Sequence, residues 1–236
     1  MQKEKNVQKK NIWIGVVSFL IVAAFVAILI VPQSREVFRA CTEKLPLVMG
    51  FVKFALLATI GELIALRLNK KAWVLPSYLP WRMFIWGFIG MAIALVFKVF
   101  YSGTAYILEL GIFPGHGVGF LQAFFTSVIM NLTFAPTMMM FHRLMDNYFD
   151  MRHTGQRKMG VQGVVAYTDW QTFVRFVLLK TVPIFWIPAH TVTFLLPAEY
   201  QTIMAAFLSI ALGIILSMKK KRPDHPEDEQ SAETLL

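Results

Sequence analysis

Charge is the property that this sequence has least of. Only 16 % of its 236 residues are charged, whereas soluble domains carry roughly 25 %. Hydrophobic residues make up 56 % of the chain, and uncharged apolar runs long enough to cross a bilayer recur along it. The shortage of charge excludes an ordinary soluble domain and predicts an integral membrane protein whose surroundings are the lipid bilayer.

Cysteine is almost absent as well. The single residue Cys41 cannot form an intrachain disulfide, and the sequence has neither a CxxC motif nor a Cys/His spacing typical of a metal site. The enzyme motifs HExxH, GxSxG and GxxxxGK[ST] are also missing. We therefore expect a protein that is not an enzyme and that holds no cofactor and no metal.

Six apolar segments are long enough to be membrane helices. They are residues 12–31, 45–68, 83–101, 120–141, 173–196 and 200–218. They predict an all-α fold, a polytopic membrane helix bundle. A cleaved signal peptide is the alternative for the first segment, but its run is longer than the usual signal-peptide core and lacks a small-x-small site at its end. We expect it to be retained.

Three parts of the chain differ in character. Residues 1–45 are expected to form a basic N-terminus and an extra first membrane helix, and residues 46–222 the main helical bundle. Residues 223–236 form an acidic tail that is expected to be disordered.

The basic residues divide unequally between the two sides of a six-span topology. One side receives 17 Lys and Arg residues, and the other receives 3, which are Arg35, Arg39 and Lys44. Basic loops stay in the cytoplasm by the positive-inside rule. The split predicts that both termini are cytoplasmic. It also makes nucleic acid a poor candidate partner despite the net charge of +9, because the basic residues flank the apolar segments.

The fifth segment contains two prolines, Pro183 and Pro188. Proline removes a backbone donor and frees a carbonyl group, which a membrane helix tolerates where protein or water satisfies it. We expect a proline-kinked helix that faces protein or water.

Polar side chains fall within several of the predicted spans. Asn131 and His190 lie near the middle of the bilayer, where neither can reach the interface. They either hydrogen-bond across helices to fold the bundle or line a polar path. The candidate pore-lining residues are Asn131, Thr133, His190, Thr191 and Thr193, with Glu62 and Lys98 at the ends.

Glu62 and Lys180 are predicted at a similar depth towards the cytoplasmic side. A charge inside the bilayer is costly unless it is paired, so the two residues are a candidate ion pair. The alternative is that both side chains extend to the cytoplasmic interface.

The last span repeats a small residue at every fourth position. These residues are Ala205, Ser209, Gly213 and Ser217, and they share one helix face on which another backbone can approach closely. The face predicts helix packing, and a homo-oligomer is one candidate use of it.

Several short motifs follow one another along residues 50–220. They are Gly61-Glu62, Gly87-Phe88-Ile89-Gly90, Phe97-Lys98-Val99, Phe134-Ala135-Pro136, Pro188-Ala189, Thr193-Phe194, Pro197 and Ile215-Leu216-Ser217. These motifs and their order resemble the Mpv-seventeen/PMP-twenty-two family of small membrane proteins. The chain departs from the family at Met91, where the family has proline, and the first span has no counterpart in the family's four-helix description. The resemblance implies a compact helical bundle and a weakly selective channel for small solutes.

Two functions remain open from the sequence. The first is a channel or conduit for small solutes along the polar line. The second is a non-catalytic structural or assembly protein that packs through the last helix. The N-terminus lacks the character of a transit peptide, which favours a bacterial inner membrane over an organelle membrane.

Overall fold

A computed structural model describes residues 11–155 and 160–219 of the chain. Over these residues the protein is helical and contains no strand, which confirms the predicted all-α class. The basic N-terminus and the acidic tail that was predicted to be disordered lie outside the described residues.

The helices are numbered here in chain order. They are α1 (Ile12–Ile30), α2 (Pro32–Lys44), α3 (Pro46–Lys70), α4 (Leu79–Glu109), α5 (Gly119–His153), α6 (Val161–Tyr167), α7 (Trp170–Phe194) and α8 (Ala198–Lys219). Six of them, α1, α3, α4, α5, α7 and α8, are long and apolar enough to cross a membrane. The chain is thus a multi-pass membrane protein, and the six predicted spans are confirmed as helices.

Helical structure extends beyond the six predicted spans. Residues 32–44, which lie between the first two predicted spans, form α2; it starts at Pro32, where the helix needs no backbone N–H donor. Helix α5 continues to His153, well beyond the apolar run that ends at residue 141. Asp169 caps the start of α7: its side chain accepts a hydrogen bond from the backbone N–H of Thr172 at 3.0 Å.

Helix α7 is wider than an α-helix over most of its length. Residues Phe173–Trp186 follow the i→i+5 hydrogen-bonding pattern of a π-helix, and Ile187–Phe194 complete the helix as an α-helix. The N–H of Ile187 accordingly bonds to the carbonyl of Val182, five residues earlier. Pro183 lies inside the wide part and Pro188 near the start of the α-helical part. The kink that these prolines predict stays a prediction.

Two compact units make up the described chain. The first contains residues 11–91 and 206–219, and the second contains residues 92–155 and 160–205. Residues 12–44 belong to the same unit as residues 46–91, whereas the sequence predicted a division at residue 45; that functional division stays a prediction.

The first unit is held by close helix approaches at glycines. A Cβ atom built on Gly90 of α4 would meet the carbonyl oxygen of Gly50 in α3. One built on Gly61 of α3 would lie 3.1 Å from the backbone nitrogen of Ile210 in α8. Glycine is required at such points because the facing atoms are backbone, which cannot move aside as a flexible side chain would.

The second unit is built around α5 and α7. The buried side chains along α5 include Ala123, Thr126, Ser127, Met130 and Asn131. Those at the α-helical end of α7 include His190, Thr191, Thr193 and Phe194. The core of this unit is therefore unusually polar for a membrane bundle, and it contains both residues that the sequence placed at mid-membrane.

Candidate functional site

Asn131 and His190 meet in the core of the second unit. The side-chain oxygen Oδ1 of Asn131 lies 3.1 Å from Nδ1 of His190. Asn131 is fully buried, and the exposed fraction of His190 is 8 %. The structure thus brings together the two mid-membrane residues that the sequence singled out and joins α5 to α7 through them.

Ser127 adds a second link between the same helices. Its hydroxyl donates a hydrogen bond of 2.7 Å to the carbonyl of Ile187 in α7. Asn131 Nδ2 lies 2.8 Å from the Ser127 carbonyl and 3.2 Å from the Ser127 hydroxyl oxygen. Ser127 was not among the predicted site residues, although its position one helical turn before Asn131 puts it on the same face of α5. We call Ser127, Asn131 and His190 the polar cluster.

Aromatic side chains surround the His190 ring. Trp186 stacks on it, with ring centroids 5.1 Å apart and planes inclined by 18°. Phe97 of α4 meets it edge to face at 5.6 Å, and Phe194 lies at 6.5 Å. Trp186 was not predicted as a site residue, although it precedes His190 by one helical turn. The polar cluster is enclosed by apolar rings in this structure.

The threonines predicted to line a path separate into two groups. Thr191 and Thr193 are buried, and their hydroxyls donate to the carbonyls of Ile187 at 2.8 Å and Ala189 at 2.9 Å. Thr133 is exposed and donates to Ile129 of its own helix at 2.7 Å. It follows Asn131 by two positions, which turns it about 200° around an α-helix. Thr133 therefore does not join the polar cluster.

Glu62 belongs to the first unit and has a partner that sequence analysis did not foresee. Its Oε1 lies 3.0 Å from Arg82 Nη1, with both side chains buried, and the Trp86 indole N–H donates to the other carboxylate oxygen, Oε2, at 3.3 Å. The partner Arg82 was not predicted, and the predicted pairing of Glu62 with Lys180 stays a prediction. Arg82 precedes the predicted third span, residues 83–101, but α4 begins at Leu79 and carries Arg82 towards α3.

Lys98 and Lys180 are both exposed. The ammonium group of Lys180 lies 5.8 Å from the centre of the Phe176 ring on its own helix. Neither lysine is part of the polar cluster, and the position of Lys98 at the end of a polar path stays a prediction.

The small residues of α8 pack within the chain. A Cβ atom on Gly213 would lie 3.1 Å from the carbonyl oxygen of Gly61 and 3.3 Å from the Cβ of Ala65. Ala205 is buried and Ser209 is half-buried; the side chain of Ser217 lies outside the described atoms. The predicted packing role of Gly213 fits this contact with α3, and a homo-oligomer stays a prediction.

Lys53 is a buried cation that the sequence analysis passed over. Its side chain is 0 % exposed, and Nζ lies 3.0 Å from the Thr42 hydroxyl and 4.4 Å from the centre of the Phe38 ring. Both partners come from α2, a helix that was not predicted. The burial of Lys53 depends on the packing of α2 against α3, which the sequence alone does not reveal.

Comparison of the chain with protein-family models, with curated proteins and with solved structures gives no match. The resemblance noted in the sequence therefore stays a prediction. In the described part of the chain, no three His, Cys, Asp or Glu side chains come together as a group that could hold a metal ion.

The chemistry open to the polar cluster is hydrogen bonding. Its members are an amide, a hydroxyl and an imidazole ring, and none of the three is a carboxylate or an ammonium group. Such groups can replace the water around a small polar molecule in a bundle core, and they can equally hold two helices together.

Proposed function

We propose that the protein is a conduit for small solutes across its membrane, with the polar cluster as the constriction of the path. The enclosed cluster represents the closed state. Opening would separate the Asn131–His190 hydrogen bond and exchange it for hydrogen bonds to the solute.

The observation that carries the proposal is the Asn131–His190 hydrogen bond beside the π-helical part of α7. Polar groups at mid-membrane are costly and are most often functional. The π-helical pattern is rare and occurs frequently at functional sites. Here both features meet on one helix, within one turn of each other. The resemblance to a family of small-solute channels supports the same conclusion.

A structural role is the second candidate. The Ser127 hydroxyl and the Asn131 amide are both hydrogen-bonded, and aromatic rings pack around His190. These contacts would also be found in a cluster that only fastens α5 to α7. The two candidates differ in whether anything passes through the cluster.

Solute release from proteoliposomes separates the candidates. Vesicles are loaded with glycerol, succinate or potassium chloride, and the release rate is compared with that of protein-free vesicles. The test variant is Asn131→Leu with His190→Leu, which replaces the polar groups with apolar ones of similar size. The matched control is Thr133→Leu, because Thr133 is exposed two residues away on the same helix.

Under the conduit proposal, the wild type and the Thr133 variant release at least one solute, and the double variant does not. A double variant that is folded and inserted yet releases solute like the wild type would contradict the proposal. So would a wild type that releases none of the three, and that result would favour the structural role.

We also infer that the chain lies in a bacterial inner membrane with both termini in the cytoplasm. The unequal division of basic residues supports the orientation.

A further inference from the structure

The hydrogen bonds of Asn131 determine which nitrogen of His190 carries a proton. The Ser127 carbonyl can only accept, so the Asn131 atom that lies 2.8 Å from it must be the donor Nδ2. This orientation leaves Oδ1, an acceptor, facing Nδ1 of His190 at 3.1 Å. Nδ1 therefore carries the hydrogen.

Nε2 of His190 is then a free acceptor in the neutral ring. An isolated imidazolium among apolar rings would be costly, and the contacts of the ring are Trp186, Phe97 and Phe194. Within the described residues Nε2 receives no hydrogen bond. The ring thus presents one unused lone pair.

Trp186, the ring stacked on His190, has a donor that lacks an acceptor. The indole Nε1–H of Trp186 is buried and has no hydrogen-bond acceptor within the described residues. A buried donor without a partner costs roughly 1–3 kcal/mol. One free acceptor and one buried free donor therefore lie on two rings whose centroids are 5.1 Å apart.

A hydroxyl group can donate a hydrogen bond to His190 Nε2 and can accept one from Trp186 Nε1–H. The separation of the rings is within the span of a molecule of two or three carbon atoms that carries hydroxyls at both ends. Its carbon atoms would rest against the aromatic rings, and its hydroxyls would take the place of bulk water. An ion finds no charged partner among the residues that contact His190, and an uncompensated charge in such surroundings is costly.

We propose that His190 and Trp186 form a binding site for small neutral hydroxylated solutes of about the size of glycerol. The site rests on the proposed conduit and names the class of solute that it selects. Glycerol is expected to cross faster than succinate or potassium chloride, because only glycerol can use both ring nitrogens without bringing a charge.

Two conservative variants test the site. His190→Asn retains a side-chain donor near the place of Nδ1 and removes the Nε2 acceptor. Trp186→Phe retains an aromatic ring on His190 and removes the donor. The matched control for the second is Trp170→Phe, since the Trp170 indole N–H already bonds to the Val165 carbonyl at 2.9 Å. Each variant is reconstituted as the full chain at equal density.

Glycerol flux is measured by osmotic swelling of the vesicles, and water flux is measured separately with an impermeant osmolyte. Each site variant is expected to lower glycerol flux by about tenfold, the equivalent of one hydrogen bond of roughly 1.4 kcal/mol. Trp170→Phe is expected to match the wild type. Glycerol flux that is unchanged in both site variants would overturn the site.

The selectivity of the wild type tests the same inference without any variant. If potassium chloride or succinate passes and glycerol does not, the conduit stands and the hydroxyl site is wrong. If water alone passes, the hydroxyl site is also wrong. If nothing passes, the conduit itself is contradicted.

Discussion

At the scale of single residues, several buried polar side chains within the membrane helices are hydrogen-bonded to a second polar side chain. Asn131 and His190 satisfy each other in the second unit, and Glu62 and Arg82 do so in the first. Lys53 differs from both pairs because its nearest partners are a hydroxyl and an aromatic ring. Substitutions at Lys53 and at its partner Thr42 therefore test how much the burial of a charged group costs in stability.

The first prediction concerns Lys53 and Thr42. Thr42→Val removes the hydroxyl that accepts from the buried ammonium, and we expect it to lower the free energy of unfolding by about 1–3 kcal/mol. Lys53→Met replaces the buried cation with an apolar chain of similar length, which is expected to be neutral or stabilising. Thermal unfolding in detergent measures both.

The double variant provides the control for this interpretation. With methionine at position 53, Thr42→Val should cost much less than it does beside lysine. Thr137→Val, at an exposed position of α5, should change the stability little. Equal effects of Thr42→Val on both backgrounds would show that the hydroxyl does not act through Lys53.

At the scale of helices, the closest approach in the first unit is between α3 and α4. The Cβ atom of an alanine at Gly90 would meet the Gly50 carbonyl oxygen and lie 2.6 Å from the Cβ of Phe54. The added Cβ atom can be accommodated only if α3 and α4 move apart.

We therefore predict that Gly90→Ala destabilises the protein by about 1–3 kcal/mol, the usual cost of overpacking. The control is Gly103→Ala on the same helix, where nothing lies within 4 Å of the added atom. There alanine should be neutral or stabilising by up to about 1 kcal/mol, because it favours helix more than glycine does. Unfolding curves that coincide for the two variants would contradict the close packing of α3 and α4.

The start of α7 carries a second prediction at this scale. The pKa of Asp169 is lowered below its usual value by hydrogen bonds from the Thr172 side chain and backbone. A carboxyl group with a lowered pKa in the folded state stabilises the fold above its unfolded pKa, near 3.8, and loses this contribution as the pH falls below that value.

The comparison variant is Asp169→Asn, because asparagine also caps helices but does not titrate in this range. Between pH 5 and pH 3 the wild type is expected to lose more stability than this variant. Parallel losses for the two proteins would mean that the Asp169 cap does not contribute through its charge.

At the scale of the whole molecule, hydropathy was enough to predict the six membrane helices. It did not predict α2, because residues 32–44 are polar overall and their helix is amphipathic. Nor did it predict that α4 would begin early enough to carry Arg82 into an ion pair. A membrane helix can continue beyond the bilayer because its backbone hydrogen bonds continue there. Hydropathy marks only the apolar part of such a helix, so it does not predict where the helix begins or ends.

The polar cluster could be predicted in part. The depth of Asn131 and His190 identified them as mid-membrane groups, and the structure joins them. Ser127 and Trp186 were missed, although each lies one turn before a predicted residue on the same helix. The Arg82 partner of Glu62 was also missed, because depth in the bilayer does not determine which helices are neighbours.

The membrane orientation gives a prediction for the whole chain. Cys41, the single cysteine, is exposed in α2 on the side predicted to be external. A membrane-impermeant maleimide should label it in intact spheroplasts. In the variant Cys41→Ser with Ser231→Cys, labelling should require permeabilised membranes. The reverse pattern would invert the predicted topology.

The most direct test of the conduit is the chemical accessibility of the polar cluster. Ser127→Cys, in the Cys41→Ser background, puts a thiol of nearly the size of the hydroxyl into the cluster. Ala123→Cys, one turn earlier and equally buried, is the control. We predict that a small water-soluble thiosulfonate reacts faster with position 127 and stops solute release. Equal, slow reaction at both positions, with release unaffected, would contradict a path through the polar cluster.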